Sequence, residues 1–301
     1  MFRKLLAVSS MLLFAVSIAN AADTAKPPAS LSAAEIVDRN VAASGGLQAW
    51  RAVHSMTWTG KLGAGGNRQP PFRTPPEGKK LTSLSTDTHP KDEVQLPFKM
   101  EMERPRKKRF EILFRDQTAI QVFDGANGWK LRPYLNRLEV EPFTSDELRL
   151  ASMQFELDGP LVDYAAKGTR IELDGTEKID DRDAYKLKLT MKDGRTVHVW
   201  VDAKTFLEAK IEVTPRRLDG QEHAVEVYFR DYRAVDGLQI PFVLETKVLP
   251  IAKPVKPVAG TFNGVFPVET IAIEKVEVNP KFDASLFAKP VIEAASLVKP
   301  H

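Results

Sequence analysis

The residue types that could do chemistry are few and scattered. Five histidines occur, His54, His89, His198, His223 and His301, and there is no cysteine. The missing cysteine excludes a thiol nucleophile, a disulfide framework and a Cys-ligated metal. HExxH, GxSxG and P-loop patterns are all absent. Gly63-Ala64-Gly65-Gly66 has the glycine content of a phosphate cradle, but no Lys-Ser/Thr follows it into a helix, so it reads as a turn. Asp180, Asp181 and Asp183 cluster three carboxylates. A calcium loop needs alternating ligands, a glycine and a distant glutamate, so this cluster reads as a solvated hairpin turn. His198 shares a strand face with Trp200 and reads as a half-exposed strand histidine. Arg104–Arg109, RPRKKR, has two open readings: a basic patch for phosphate or lipid headgroups, or a charged hairpin turn that discourages edge pairing. No set of these groups converges. The expectation is a protein that is not an enzyme and uses no cofactor and no metal.

Composition points to export. Met1–Ala21 has the parts of a secretory signal: Arg3 and Lys4, the apolar run Leu5–Ala19, and Ala19-Asn20-Ala21 as a small-x-small cleavage site after Ala21. That run is shorter than the ~20 apolar residues of a membrane span, and no transmembrane segment is expected in the mature chain. Without Arg3 and Lys4, 41 basic residues remain against 40 acidic, a net charge of +1. Such a balance excludes the electrostatic footprint of a nucleic-acid binder.

The elements follow from periodicity. Phe98, Met100 and Met102 alternate with Lys99, Glu101 and Glu103, the period of a strand with one buried face. The alternation resumes at Phe110, Ile112 and Phe114, then at Ile120 and Val122, and Asp124-Gly125 turns the chain into Trp129 and Leu131. These runs read as a meander of three or four strands with one shared oily face, to be covered by the protein's own core or by something greasy from outside. Before it, Ser32-Ala33-Ala34-Glu35 is a capping box opening a helix that Gly45-Gly46 stops. A short helix over Leu47–Val53 and a strand over Ser55–Leu62 follow. Gly63–His89, rich in glycine and proline, reads as a long surface excursion. After a strand over Arg137–Glu141, Ser145–Asp158 reads as helical up to Gly159-Pro160. A second β series then runs from Thr169 to Val278, with turns at Asp180-Asp181, Lys192-Asp193-Gly194 and Asp236-Gly237. The fold expected is mainly β (α+β): a strongly curved antiparallel sheet of about eleven strands, closed or half closed, with helices packed on it or plugging it.

Three segments resemble a known family. Glu103-Arg104-Pro105, then Val122-Phe123-Asp124-Gly125-Ala126-Asn127-Gly128-Trp129, and the closing Asp283-Ala284-Ser285-Leu286-Phe287-Ala288-Lys289-Pro290 are similar in order and spacing to LolA, the periplasmic carrier of outer-membrane lipoproteins. The resemblance covers roughly 31–290, although the chain is longer than a minimal LolA. It implies a half-open barrel with a helical lid, in one domain over 31–290, preceded by a flexible segment at 22–30 and followed by a tail at 291–301. It also implies a periplasmic location and a hydrophobic cavity that holds acyl chains of lipoproteins or lipids for transfer toward the outer membrane, with membrane-bound donor and acceptor proteins as partners. The expected cavity residues are Phe98, Met100, Met102, Phe110, Ile112, Phe114, Ile120, Val122, Trp129 and Leu131. By the resemblance Arg104 is the arginine that holds the lid; as a plain residue it is a turn residue before Pro105. A sensing module acting through a protein partner, a role the same fold also serves, is the alternative.

Overall fold

Among the described residues, alternating side chains and short polar turns give thirteen antiparallel strands in one sheet. The computed structural model describes residues 31–63, 94–218, 221–251 and 266–291. The segments read above as the signal peptide, the N-terminal segment, the Gly63–His89 excursion and the tail lie outside these residues, apart from positions at their ends.

The first meander holds β1 (Ser55–Gly63), β2 (Gln95–Glu103), β3 (Lys107–Phe114), β4 (Gln117–Phe123), β5 (Gly128–Arg132) and β6 (Arg137–Pro142). The second holds β7 (Arg170–Ile179), β8 (Arg182–Thr190), β9 (Thr196–Asp202), β10 (Glu208–Leu218), β11 (Gln221–Val235) and β12 (Leu238–Val248). The last strand, β13 (Glu269–Val278), pairs with both β1 and β12. The order is β6-β5-β4-β3-β2-β1-β13-β12-β11-β10-β9-β8-β7. Every run picked out in the sequence forms its own strand, so the total exceeds about eleven. The sheet is open, with β6 and β7 as its edges.

Three α-helices accompany it among the described residues. α1 (Ala33–Ala43) opens on the expected capping box: Ser32 Oγ accepts from Glu35 N at 3.2 Å, and Glu35 Oε2 accepts from Ser32 N at 2.8 Å. Its end docks on the β11–β12 hairpin, where Gln239 N donates to Ser44 O at 3.0 Å. Gly45 is needed there, since a Cβ would fall 2.6 Å from Gly237 O. α2 (Leu47–Arg51) places Trp50 in a core with Val53, Met56, Phe98, Leu238 and Ile240. α3 (Ser145–Ser152) is shorter than the helix expected over Ser145–Asp158. The chain leaves the helix so that Glu156 and Asp158 can meet Arg104.

Candidate functional site

Directly opposed residues of an antiparallel pair share a face, so the register fixes what each side of the sheet offers. On one face of the first meander, Trp58, Met100, Phe110 and Gln121 lie in a row, and Met56, Met102, Lys108 and Phe123 form the next. On the same face of the second meander lie Val227, Ile211 and Val199. Most of these side chains border one cavity of about 570 Å³. β3 and β10 are six strands apart, about 29 Å in a flat sheet. They share a cavity because the sheet curls, and the cavity lies on its concave side.

The connection from β6 to β7 joins the two open edges, and part of it passes over that concave side. Residues Gln154–Pro160 and Val162 from this connection form part of the cavity wall. Arg104, Lys167 and Arg51 are among the cations that pin it. Arg104 Nη2 meets Asp158 Oδ2 at 2.8 Å and Trp50 O at 3.3 Å; its Nη1 meets Glu156 at 3.1 Å, and its Nε donates to Val53 O at 2.8 Å. Lys167 Nζ donates to Asp158 Oδ1 at 2.6 Å and to Gly159 O at 2.9 Å. Arg51 binds Asp163 through two hydrogen bonds of 2.8 and 2.6 Å. α3 is held at the other end by Lys130, whose ammonium reaches Glu147 at 2.5 Å.

Two ionisable groups face the cavity with little compensation. A register shift between Glu208 and Lys210, a bulge of the kind that re-aims side chains, turns Glu208 inward. Burial pushes its carboxyl up to about 7, with Lys167 opposing in part. Tyr232 lies beside it, donating its hydroxyl to Glu208 O at 3.0 Å. Burial and Glu208 raise the Tyr232 phenol well above its usual range. Lys108 is the second such group, and burial lowers its ammonium. Trp58 Nε1 is buried with no hydrogen-bond partner among the described residues, and Trp58 borders the cavity.

No family profile matches the chain, and no curated protein matches it either. Among solved structures, a LolA superfamily protein from Nitrosomonas europaea superposes with a TM-score of 0.50 at 12% identity, over 86% of this chain and 99% of that one. The chain has the LolA-type fold. A domain from Vibrio parahaemolyticus assigned as an outer membrane lipoprotein-sorting protein matches with a TM-score of 0.47 at 12% identity, over 85% of this chain and 95% of that one.

Within this LolA-type sheet the residues expected at the cavity divide. Met100, Met102, Phe110 and Arg104 border it. Phe98 is buried in the core and Ile112 packs against it on the same face, and neither borders the cavity. Phe114 is on the same face at the far end of β3, away from the cavity. Ile120, Val122, Trp129 and Leu131 correct the expectation of one shared oily face. Val122 opposes Arg109 and Trp129, while Ile120 opposes Glu111 and Leu131, all on the convex side. Val122 still touches the cavity, between Gln121 and Phe123 in the wall. The cause is the turn between β3 and β4. Arg115 and Asp116 both have positive φ (46° and 62°), and Phe114 opposes Gln117. A two-residue turn of this kind sets the register, and one residue of offset exchanges the faces.

The convex apolar patch is covered by the C-terminal segment. Phe287 is 3% exposed, and Arg109 Nη1 donates to Leu286 O at 3.3 Å. His198 also lies outside, with its Nδ1 2.6 Å from Glu212 and its Nε2 3.4 Å from Asp174. The wall residues missed by sequence reading come from the second meander (Ile211, Val213, Phe229, Ile240), from Trp58 and from the connection. Alternation in β10–β12 was their signal, but alternation does not say which face looks inward.

Proposed function

We propose that the protein is an exported carrier that holds acyl chains of lipids or lipoproteins in this cavity and releases them when the Gln154–Val162 connection swings away. The observation that carries the reading is the cavity itself. It is walled by Met100, Met102, Phe110, Ile211 and Ile240, and roofed by a segment held through polar contacts that can be exchanged. Its volume of about 570 Å³ falls in the ~300–1,000 Å³ range of small-molecule sites. Thioether side chains adapt to chains of varying shape. An ester carbonyl would satisfy the unpartnered Trp58 N–H. The LolA-type fold agrees with this reading, as do the signal-like residues 1–21, which direct the chain to the periplasm with cleavage after Ala21.

No covalent step is needed. At about 0.8 kcal/mol per buried methylene, a chain of about fourteen carbons gains roughly 10 kcal/mol on full burial. Ordering costs of several kcal/mol leave a moderate affinity, as transfer requires. In this scheme Arg104 controls opening, because it alone ties the β2–β3 turn to both α2 and the connection.

The test is native mass spectrometry of protein released from the periplasm without detergent, alongside a Phe110→Asp variant. A co-purifying lipid or acyl-peptide mass, at least tenfold depleted in the variant, is the expected result. An empty wild-type protein that also takes up no added phospholipid or lipopeptide would overturn the proposal.

A further inference from the structure

The basic turn RPRKKR carries five cations, and four of them have carboxylate partners. Arg104 pairs with Glu156 and Asp158, Arg106 with Glu156 at 3.5 Å, Lys107 with Glu103 at 2.6 Å, and Arg109 with Glu111 at 2.6 Å. Lys108 differs. Its one polar contact among the described residues is the Gln154 side-chain oxygen at 3.3 Å, and it has no acidic partner. The register explains why. Lys107 and Arg109 point to the convex face, whereas Lys108 opposes Met102 and Phe123 on the concave one. All three of these residues border the cavity, as do Phe110 and Phe155. Lys108 is half-buried. An ammonium partly withdrawn from water beside apolar groups without a counter-charge is unfavourable, and this desolvation weakens its hold on its proton.

We propose that Lys108 receives the anionic headgroup of the cargo, so that the cavity selects acyl ligands bearing a negatively charged oxygen group over uncharged ones. The headgroup sits at the start of β3, beside the β2–β3 turn, and the chain runs inward past Phe110 and Met100. A carboxylate and a phosphodiester offer the same chemistry to an ammonium: an oxygen anion accepting charge-assisted hydrogen bonds. Gln154, on the lid side, then donates its amide to the same group by rotating about its last torsion. This inference rests on the proposal that the cavity takes acyl chains.

The experiment uses delipidated full-length mature protein and four radiolabelled probes: oleate, methyl oleate, dioleoylphosphatidylglycerol and dioleoylglycerol. Wild type is expected to bind oleate tenfold or more tighter than methyl oleate, whose chain is the same and whose charge is gone. In Lys108→Met that preference vanishes while methyl oleate binding is retained, and Lys108→Arg keeps it. Preference for phosphatidylglycerol over dioleoylglycerol assigns the anion to a phospholipid; preference confined to oleate assigns it to a free acid. Equal binding of oleate and methyl oleate by wild type, or a preference that survives in Lys108→Met, overturns the headgroup site and leaves the carrier intact. Failure of wild type to bind any of the four overturns the carrier proposal itself. The wild-type comparison needs no variant, so a poorly folding substitution does not shield the inference.

Discussion

Glu208 shows how a single side chain registers the character of the cavity. A carboxyl that keeps its proton up to about pH 7 in the folded protein, against 4.5 in the unfolded chain, binds more protons folded than unfolded across that window. Stability therefore falls as pH rises from about 4.5 through 7. Below the window both states are protonated and the residue has no effect; above it, the folded state holds a desolvated charge. Glu208→Gln removes the ionisation without changing the shape. The expected outcome in urea unfolding is a gain of about 1–3 kcal/mol at pH 8 and little change at pH 4. An equal effect at both values would mean that the carboxyl is solvated and that the bulge does not turn it into the cavity.

At the scale of elements, Arg104 ties the connection between the edge strands to both α2 and the β2–β3 turn. Arg104→Ala removes contacts to Trp50, Val53, Glu156 and Asp158 together. It leaves Asp158, whose side chain is 4% exposed, with Lys167 alone. The expected loss is about 3 kcal/mol, concentrated locally, so amide exchange over residues 154–162 should accelerate more than exchange in β8 or β9. Uniform acceleration would point to a general packing defect instead. This arginine could be found in the sequence because it lies in a short motif beside Pro105. Strand faces were harder to read. β2 and the first residues of β3 follow plain alternation, and Met100, Met102 and Phe110 border the cavity. β4 alternates equally well, yet Ile120 and Val122 face outward. The Arg115-Asp116 turn that sets this offset contains no glycine or asparagine, and only its positive φ values identify it. Lys108 was hidden for a related reason: it reads as part of a polar turn, although β3 already begins at Lys107.

For the molecule as a whole, β13 decides whether there is a cavity at all. The two meanders are each held by hairpins, but between β1 and β12 the sheet is joined only through β13. The contact is close: a Cβ on Gly60 would fall 2.0 Å from Ala272 O, and Ile273 and Val276 enter the core beside Met56 and Phe98. Cavity residues from β2 and β3 and those from β10 and β12 therefore face one another only because a strand far along the sequence closes the seam. Long-range pairing of this kind forms late, since loop closure precedes its reward. A chain ending at Pro267 retains every hairpin of both meanders and loses the seam. The expected result is loss of the single cooperative urea transition, early proteolysis of the connection over residues 143–169, and no acyl uptake. If the shortened chain keeps one sharp transition near the wild-type midpoint, direct pairing of β1 with β12 would have replaced β13. The curl of the sheet would then be a property of each meander rather than of the strand between them.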